Sequence, residues 1–195
     1  YFRNPIELRD AERAANPEIN YRNIESSRLY GVEFEFRKRL DFVEALKEFS
    51  FGTNVTLVKS VVEEDSTRLA SARAVDPDWP ETRAMFGQSP YVINSYLNYH
   101  NFERGWDVNL GFNVSGEKLI LVNKAATPDV YEQPFPVLDF NVSKQFKNGI
   151  NIKFSAENLL NPKFEQTYSF VNSTGYFRQY RIGRQFSISL TYLID

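Results

Sequence analysis

The ten residues from Trp106 to Ser115, WDVNLGFNVS, alternate between apolar and polar side chains without a break. Trp106, Val108, Leu110, Phe112 and Val114 fall on one parity; Asp107, Asn109, Gly111, Asn113 and Ser115 fall on the other. A helix groups residues three and four apart, whereas a strand sends successive side chains to opposite faces. The segment is therefore a strand with one greasy face and one polar face. What covers the greasy face decides the fold.

The pattern recurs along the chain. In 27–38, Tyr30, Val32, Phe34 and Phe36 oppose Gly31, Glu33, Glu35 and Arg37. FSFGTNVTL sets Phe49, Phe51, Val55 and Leu57 against Ser50, Gly52, Asn54 and Thr56. YVINSYLNYH is the weakest case, because Ser95 and Tyr96 blur the parity of Ile93, Leu97 and Tyr99 against Asn94, Asn98 and His100. VLDFNVSKQF and INIKFSAEN repeat it through Leu138, Phe140, Val142, Ile150, Ile152, Phe154 and Ala156. The last run places Phe186, Ile188, Leu190, Tyr192 and Ile194 opposite Ser187, Ser189 and Thr191. With a fragmentary first strand around YFRNPIE, the count reaches about eight.

The joints alternate as well. Asn148-Gly149 is a tight hairpin signal, NFERG at 101–105 is nearly as short, and 39–48 is moderate, with room for one short helical turn in DFVEALKEF. The joints at 8–26, 61–90, 116–136 and 161–179 are long and rich in Pro, Asn, Asp and Glu. One end of the sheet is trimmed and the other elaborated.

Alternation in a single strand fits a soluble antiparallel sheet lying on a core. Three features together favour a bilayer. The apolar phases run about nine to eleven residues, enough to cross at a tilt, where soluble strands more often have about five or six. Trimmed turns at one end and long loops at the other match periplasmic turns and outer loops. Phe42, Phe49, Tyr99, Phe102, Trp106, Phe146 and Tyr192 gather at the trimmed end, where an aromatic girdle sits. The expected fold is an all-β, antiparallel transmembrane β-barrel segment. Phe34, Phe112, Phe140, Phe154 and Leu190 should face lipid, with Glu33, Asn109, Asp139, Lys153 and Ser189 inward. An interior this charged suits a wide lumen filled by water or a plug.

Composition removes other classes. A net charge of −2 gives no basic excess for nucleic acid. The absence of Cys excludes a disulfide scaffold and thiolate chemistry. No apolar run is long enough for a transmembrane helix. The chain starts at Tyr1 without a signal-peptide pattern, as a processed protein or a piece of a longer one would.

The chain also resembles the C-terminal part of a TonB-dependent outer-membrane receptor. The resemblance rests on YRNIESSRLYGVEFEFRKRLDF, MFGQSPYVINSYLNYHN, GWDVNLGFNVSGEKL, PDVYEQP before LDFNVSKQF, and FSAENLLNPKFEQTY leading to YRIGRQFSISLTY. Its landmarks are the Gly-x-Glu strand, the Asn-Leu-Leu-Asn before the last loop and the Gly-Arg opening the last strand. It implies that residues 1–195 are one partial barrel domain, the last part of a 22-stranded barrel, with plug and earlier strands lying elsewhere. It implies capture of a scarce nutrient outside a Gram-negative cell and import driven through TonB. The implied partners are outer-membrane lipid, the rest of the barrel and its plug, TonB through the N-terminal part, the barrel-assembly machinery and a surface lipoprotein. Members usually end on an aromatic residue. Here the chain ends Leu193-Ile194-Asp195, and a Phe at the next position would be in phase, so a missing last residue is expected.

Sites for chemistry are thin, and no catalysis, cofactor or metal is expected. His100, the single histidine, reads as a plain surface or lumen residue near a periplasmic turn. Asp76 and Asp78 in DPDWPE have oxygens suited to calcium, but read better as a solvated turn. Glu33 and Glu35 need hydration or a cation, and Arg37 is close enough to help. Trp79, Tyr131 and Tyr168 are the candidate ligand contacts, since aromatic side chains in outer loops supply contact area at small entropic cost. Each of them alternatively packs its own loop. Two other readings stay open: a complete small eight-stranded outer-membrane barrel, adhesin-like or enzymatic, and a soluble ligand-binding β-barrel or sandwich.

Overall fold

The computed structural model describes residues 1–10, 19–124, 126–170 and 173–193. Its first elements are β1 (Phe2–Arg3), β2 (Ile6–Asp10), β3 (Ile19–Asn23), β4 (Ser26–Arg39), β5 (Phe49–Glu63), the helix α1 (Ser66–Arg73) and β6 (Thr82–Arg83). Then come β7 (Tyr91–Asn101), β8 (Trp106–Ser115), β9 (Lys118–Leu121), β10 (Val130–Glu132) and β11 (Val137–Gln145). The last are β12 (Ile150–Glu157), β13 (Phe164–Phe170), β14 (Ser173–Tyr180) and β15 (Gln185–Tyr192). A 3-10 turn at Glu44–Leu46 fills the joint where one helical turn is expected.

The main sheet runs β1-β4-β5-β7-β8-β11-β12-β15, entirely antiparallel, with β6 beside β5. Its register brings seven separate alternations into one phase. Phe34 pairs with Val55, Val55 with Ile93 and Ile93 with Val114. Leu138 pairs with Phe112, Val142 with Phe154, and Phe154 with Ile188. A slip of one residue at any junction would move that strand's whole apolar set to the other side. None occurs, so Phe34, Phe112, Phe140, Phe154 and Leu190 share one face, and Glu33, Asn109, Asp139, Lys153 and Ser189 share the other.

The greasy face is uncovered, its rings half-buried by their neighbours at Phe112, Phe140 and Phe154 and open on the edge strands. Phe34 is 60% exposed and Ile188 76%, with Val32, Leu190 and Phe186 similarly open. A continuous apolar surface of this extent is at home against lipid. Its exceptions follow the same logic. Thr53 and Ser95 face each other across β5 and β7, and their hydroxyls bond at 2.8 Å, so neither is left unpaired. Lys144 lies at the trimmed rim, its Nζ 4.8 Å from the Trp106 ring centroid and bonded to the Arg104 carbonyl, as a snorkelling lysine lies at an interface.

The polar face is a ladder of short hydrogen bonds. Asn54 donates to Glu33 at 2.6 Å, Asn109 to Asn98 at 2.6 Å and Ser155 to Asn141 at 2.7 Å, and Asn113 donates to Asn94. Arg37 meets Glu35 at 2.5 Å, the help that its carboxylate needs. Tyr96, which blurs the alternation of β7, belongs to this face: a Cβ on Gly52 would come within 2.3 Å of its ring. The glycine opposite makes room for the aromatic.

At the trimmed end, β7 passes to β8 and β11 to β12 through short turns closed by Gly105 at φ +66° and Gly149 at φ +81°, a left-handed backbone that glycine adopts without strain. At the elaborated end the long joints fold. β14-β13-β10-β9 make a second sheet, and β2 pairs with β3 as a hairpin. Strand β1 is shorter than the sequence suggests: Phe2 and Arg3 pair with Ser27 and Ser26, after which Ile6–Asp10 departs to β3. So the sheet has seven long strands and the start of an eighth. Of the buried apolar side chains among the described residues, Ala156 and Val62 lie in the seven-strand wall, Val62 at the outer end of β5; Leu119, Leu121, Val122, Val130 and Ala72 pack the outer cap. The inward-outward phase expected of Ile194, and the expectation about the terminal residue, lie outside the described residues.

The Asn-Leu-Leu-Asn and Gly-Arg landmarks clamp each other at the outer rim. Asn158 (φ +55°) and Asn161 (φ +46°) adopt the left-handed conformation that asparagine tolerates best among side-chain-bearing residues. Asn158 donates to the Gly183 carbonyl at 2.6 Å, and Arg184 Nε to the Leu159 carbonyl at 2.8 Å. These residues hold β12 and β15 together where the last outer extension leaves the sheet.

Candidate functional site

The outer cap is organised by buried charge. Asp65 caps α1, its carboxylate accepting from the Thr67 and Arg68 N–H groups at 3.0 and 3.1 Å. That start sets Arg68 and Ala72, four residues apart, on the buried side of the helix. The Arg68 side chain is 1% exposed and bonds Glu64 at 2.5 Å and Asp129 at 2.6 Å. Arg83 bonds Glu7 at 2.5 Å, and its Nε lies 3.3 Å from Glu64 Oε1 without hydrogen-bond geometry. Asp129 also accepts the Asn123 N–H at 2.8 Å. Five acidic and basic side chains thus tie β2, the end of β5, α1, β6 and the backbone at Asn123 and Asp129 together. Burial pushes the Asp129 carboxyl above its ordinary range, against the pull of Arg68.

Beside this network lies a cavity of about 320 Å³. Trp79 and Tyr131, two of the three candidate ligand contacts, line it together. Trp79 is half-buried, with the Arg68 guanidinium carbon 5.4 Å from its ring centroid. Tyr131 is half-buried on β10, and its phenol is pushed up to about 12, first by burial and then by Asp129 and Glu117. Asp76 and Glu117 are exposed at the cavity, while Thr167 and Ser169 line it from β13.

Tyr168 does not join them. It lies between Thr167 and Ser169 in the strand, so it faces the other side of the β13-β14 hairpin, and its ring covers Gly175, its cross-strand partner. That is the loop-packing alternative. A larger cavity of about 540 Å³ shares Glu64 and Arg83 and reaches to Glu7, Arg22 and Glu25.

The other singled-out residues have local roles. His100 Nδ1 lies 2.7 Å from Asp107 Oδ2, and its ring meets Phe102 edge-on at 3.9 Å, at the trimmed end. Asp76 Oδ1 accepts the Asp78 N–H at 3.1 Å, the bond of a local turn. The sequence alone did not point to Glu7, Glu64, Arg68, Arg83 or Asp129. The run Asp65-Ser66 followed by Leu69-Ala70-Ser71-Ala72 carried a helix-start signal within the loop. Nothing local marked Asp129, which lies 61 residues from Arg68.

The family model described as outer membrane protein beta-barrel family matches residues 5–192. No curated protein and no solved structure matches the chain.

Proposed function

The chain belongs to the outer membrane protein beta-barrel family, and from that premise we propose that it supplies barrel wall and outer loops to a receptor importing a scarce nutrient with TonB-supplied energy. Its place is the outer membrane of a Gram-negative cell, with the greasy face against lipid. Import, the plug, TonB and the barrel-assembly machinery rest on the sequence resemblance. The role is transport rather than catalysis.

The observation that supports further strands beside this sheet is the direction of its edge strands. β4 and β15 both run from the elaborated end to the trimmed end, with five alternating long strands between them. Two strands running the same way cannot close an antiparallel ring, so an odd number of opposed strands must lie between them. β1 is opposed to β4, but it covers Phe2 and Arg3 alone, against the roughly 9–11 residues that a crossing needs. A bare edge in hydrocarbon would leave backbone groups unsatisfied at several kcal/mol each. The reading therefore gives both edges to further strands of the same wall, on the scale of the 22-stranded receptors.

Growth tests the import role. Strains with and without the gene are compared on media each limiting in one nutrient. The expected result is a defect in one medium that the gene repairs and that it fails to repair in a TonB-deficient background. Full repair without TonB overturns the reading.

A further inference from the structure

The outer cavity carries more acid than base. Glu64 and Asp129 are answered by Arg68 and Arg83. Asp76 and Glu117 have no salt-bridge partner among the described residues; Asp76 Oδ1 accepts the Asp78 N–H and Glu117 Oε1 the Gln133 side-chain amide, and both residues are exposed at the cavity. The Tyr131 phenol reports the same field, since Asp129 and Glu117 add to burial in opposing its ionisation. An anion entering here meets repulsion and no free countercharge.

A cation is a poor fit for a different reason. Arg83, a cation, lines the cavity, and its side chain is 7% exposed. An ammonium or guanidinium entering here would lie against the Arg83 guanidinium, a like charge, and would bring only more donors. A neutral hydroxyl can donate to the exposed Asp76 and Glu117 carboxylates without bringing a charge that Arg83 would repel. Trp79 and Tyr131 then offer ring surface to an occupant that has apolar C–H faces as well as hydroxyls. Thr167 and Ser169 add hydroxyls of their own. At about 320 Å³ the cavity is at the small end of the ligand range, suited to one ring rather than an extended chain.

We propose that this cavity binds one neutral carbohydrate ring, with Trp79 and Tyr131 against its C–H faces and Asp76 and Glu117 accepting its hydroxyls. Arg68 lies over one side of Trp79, so the sugar would take the opposite side of the ring. The proposal rests on the import reading, whose nutrient it narrows to a neutral glycan.

The test applies the full-length protein, purified in detergent, to a glycan array carrying neutral, amino-sugar and sialylated glycans. Retention on neutral glycans is expected, and Trp79→Ala and Asp76→Asn should each weaken it by about tenfold, the loss of one good contact. Both variants must keep the parent's heat-modifiable gel mobility, which reports an intact barrel. Tyr131→Phe, which keeps the ring, should retain binding. Retention confined to amino-sugar or sialylated glycans, retention on none, or neutral binding unchanged in both folded variants overturns the proposal. Array binding needs neither TonB nor energy, so the two readings fail separately. A silent array beside TonB-dependent growth removes the carbohydrate alone; a positive array beside TonB-independent growth removes the import role alone.

Discussion

Replacing Phe112 with Arg should destabilise the folded protein by about 2–4 kcal/mol, the cost of a charge on the lipid face of a barrel wall near the midplane. Phe112 lies inside the apolar band, paired with Ser95 on one side and Leu138 on the other. No partner there can answer a guanidinium. Asn109→Arg on the same strand should cost far less, because Asn109 sits among Asn98, Asn141 and water on the polar face. Urea unfolding in lipid vesicles measures both. A Phe112→Arg variant as stable as the parent, beside a crippled Asn109→Arg, would invert the two faces.

Arg68→Ala should cost the outer cap about 3–5 kcal/mol, because it strands buried carboxylates rather than merely removing a contact. Glu64 and the Asp129 side chain are 3% and 6% exposed and share Arg68 as their close cation. The damage should be local. Protease sites in 64–84 and 118–132 should open in intact cells, while the seven-strand wall keeps its heat-modifiable mobility. Combining Arg68→Met with Glu64→Gln and Asp129→Asn should recover most of the loss, since it removes the uncompensated charge. Unchanged protease resistance in Arg68→Ala would show that the network does not hold the cap.

The wall was legible in the sequence because its cause is local. A strand with one side in lipid and one side in a polar lumen must alternate, and each of 27–38, 49–57, 106–115 and 184–194 does so within its own residues. Where the pattern blurred, at Ser95 and Tyr96, the reason was a cross-strand partner: Thr53 for the first and Gly52 for the second. The cap was not legible, because its parts are short and meet across long stretches of chain. β10 has three residues and finds β9 and β13, and Asp129 finds Arg68 from 61 positions away. Trp79 and Tyr131 could be picked as aromatics in Pro-rich outer segments, but not that one cavity holds both. Tyr168 looked equivalent to them until the parity of β13 set it over Gly175, and that glycine was the missed signal.

The central claim is that one face of this sheet meets lipid and the other meets water. These 195 residues contain no Cys, so once any cysteine elsewhere in the full-length protein is replaced, single cysteines at each position from 107 to 114 can carry a spin label without background. Accessibility to oxygen, which concentrates in lipid, and to a water-soluble nickel chelate should be measured in the reconstituted full-length protein. The account predicts a strict two-residue period, with 108, 110, 112 and 114 open to oxygen and 107, 109, 111 and 113 open to nickel. Oxygen maxima on the odd positions, or nickel access at every position, would contradict it.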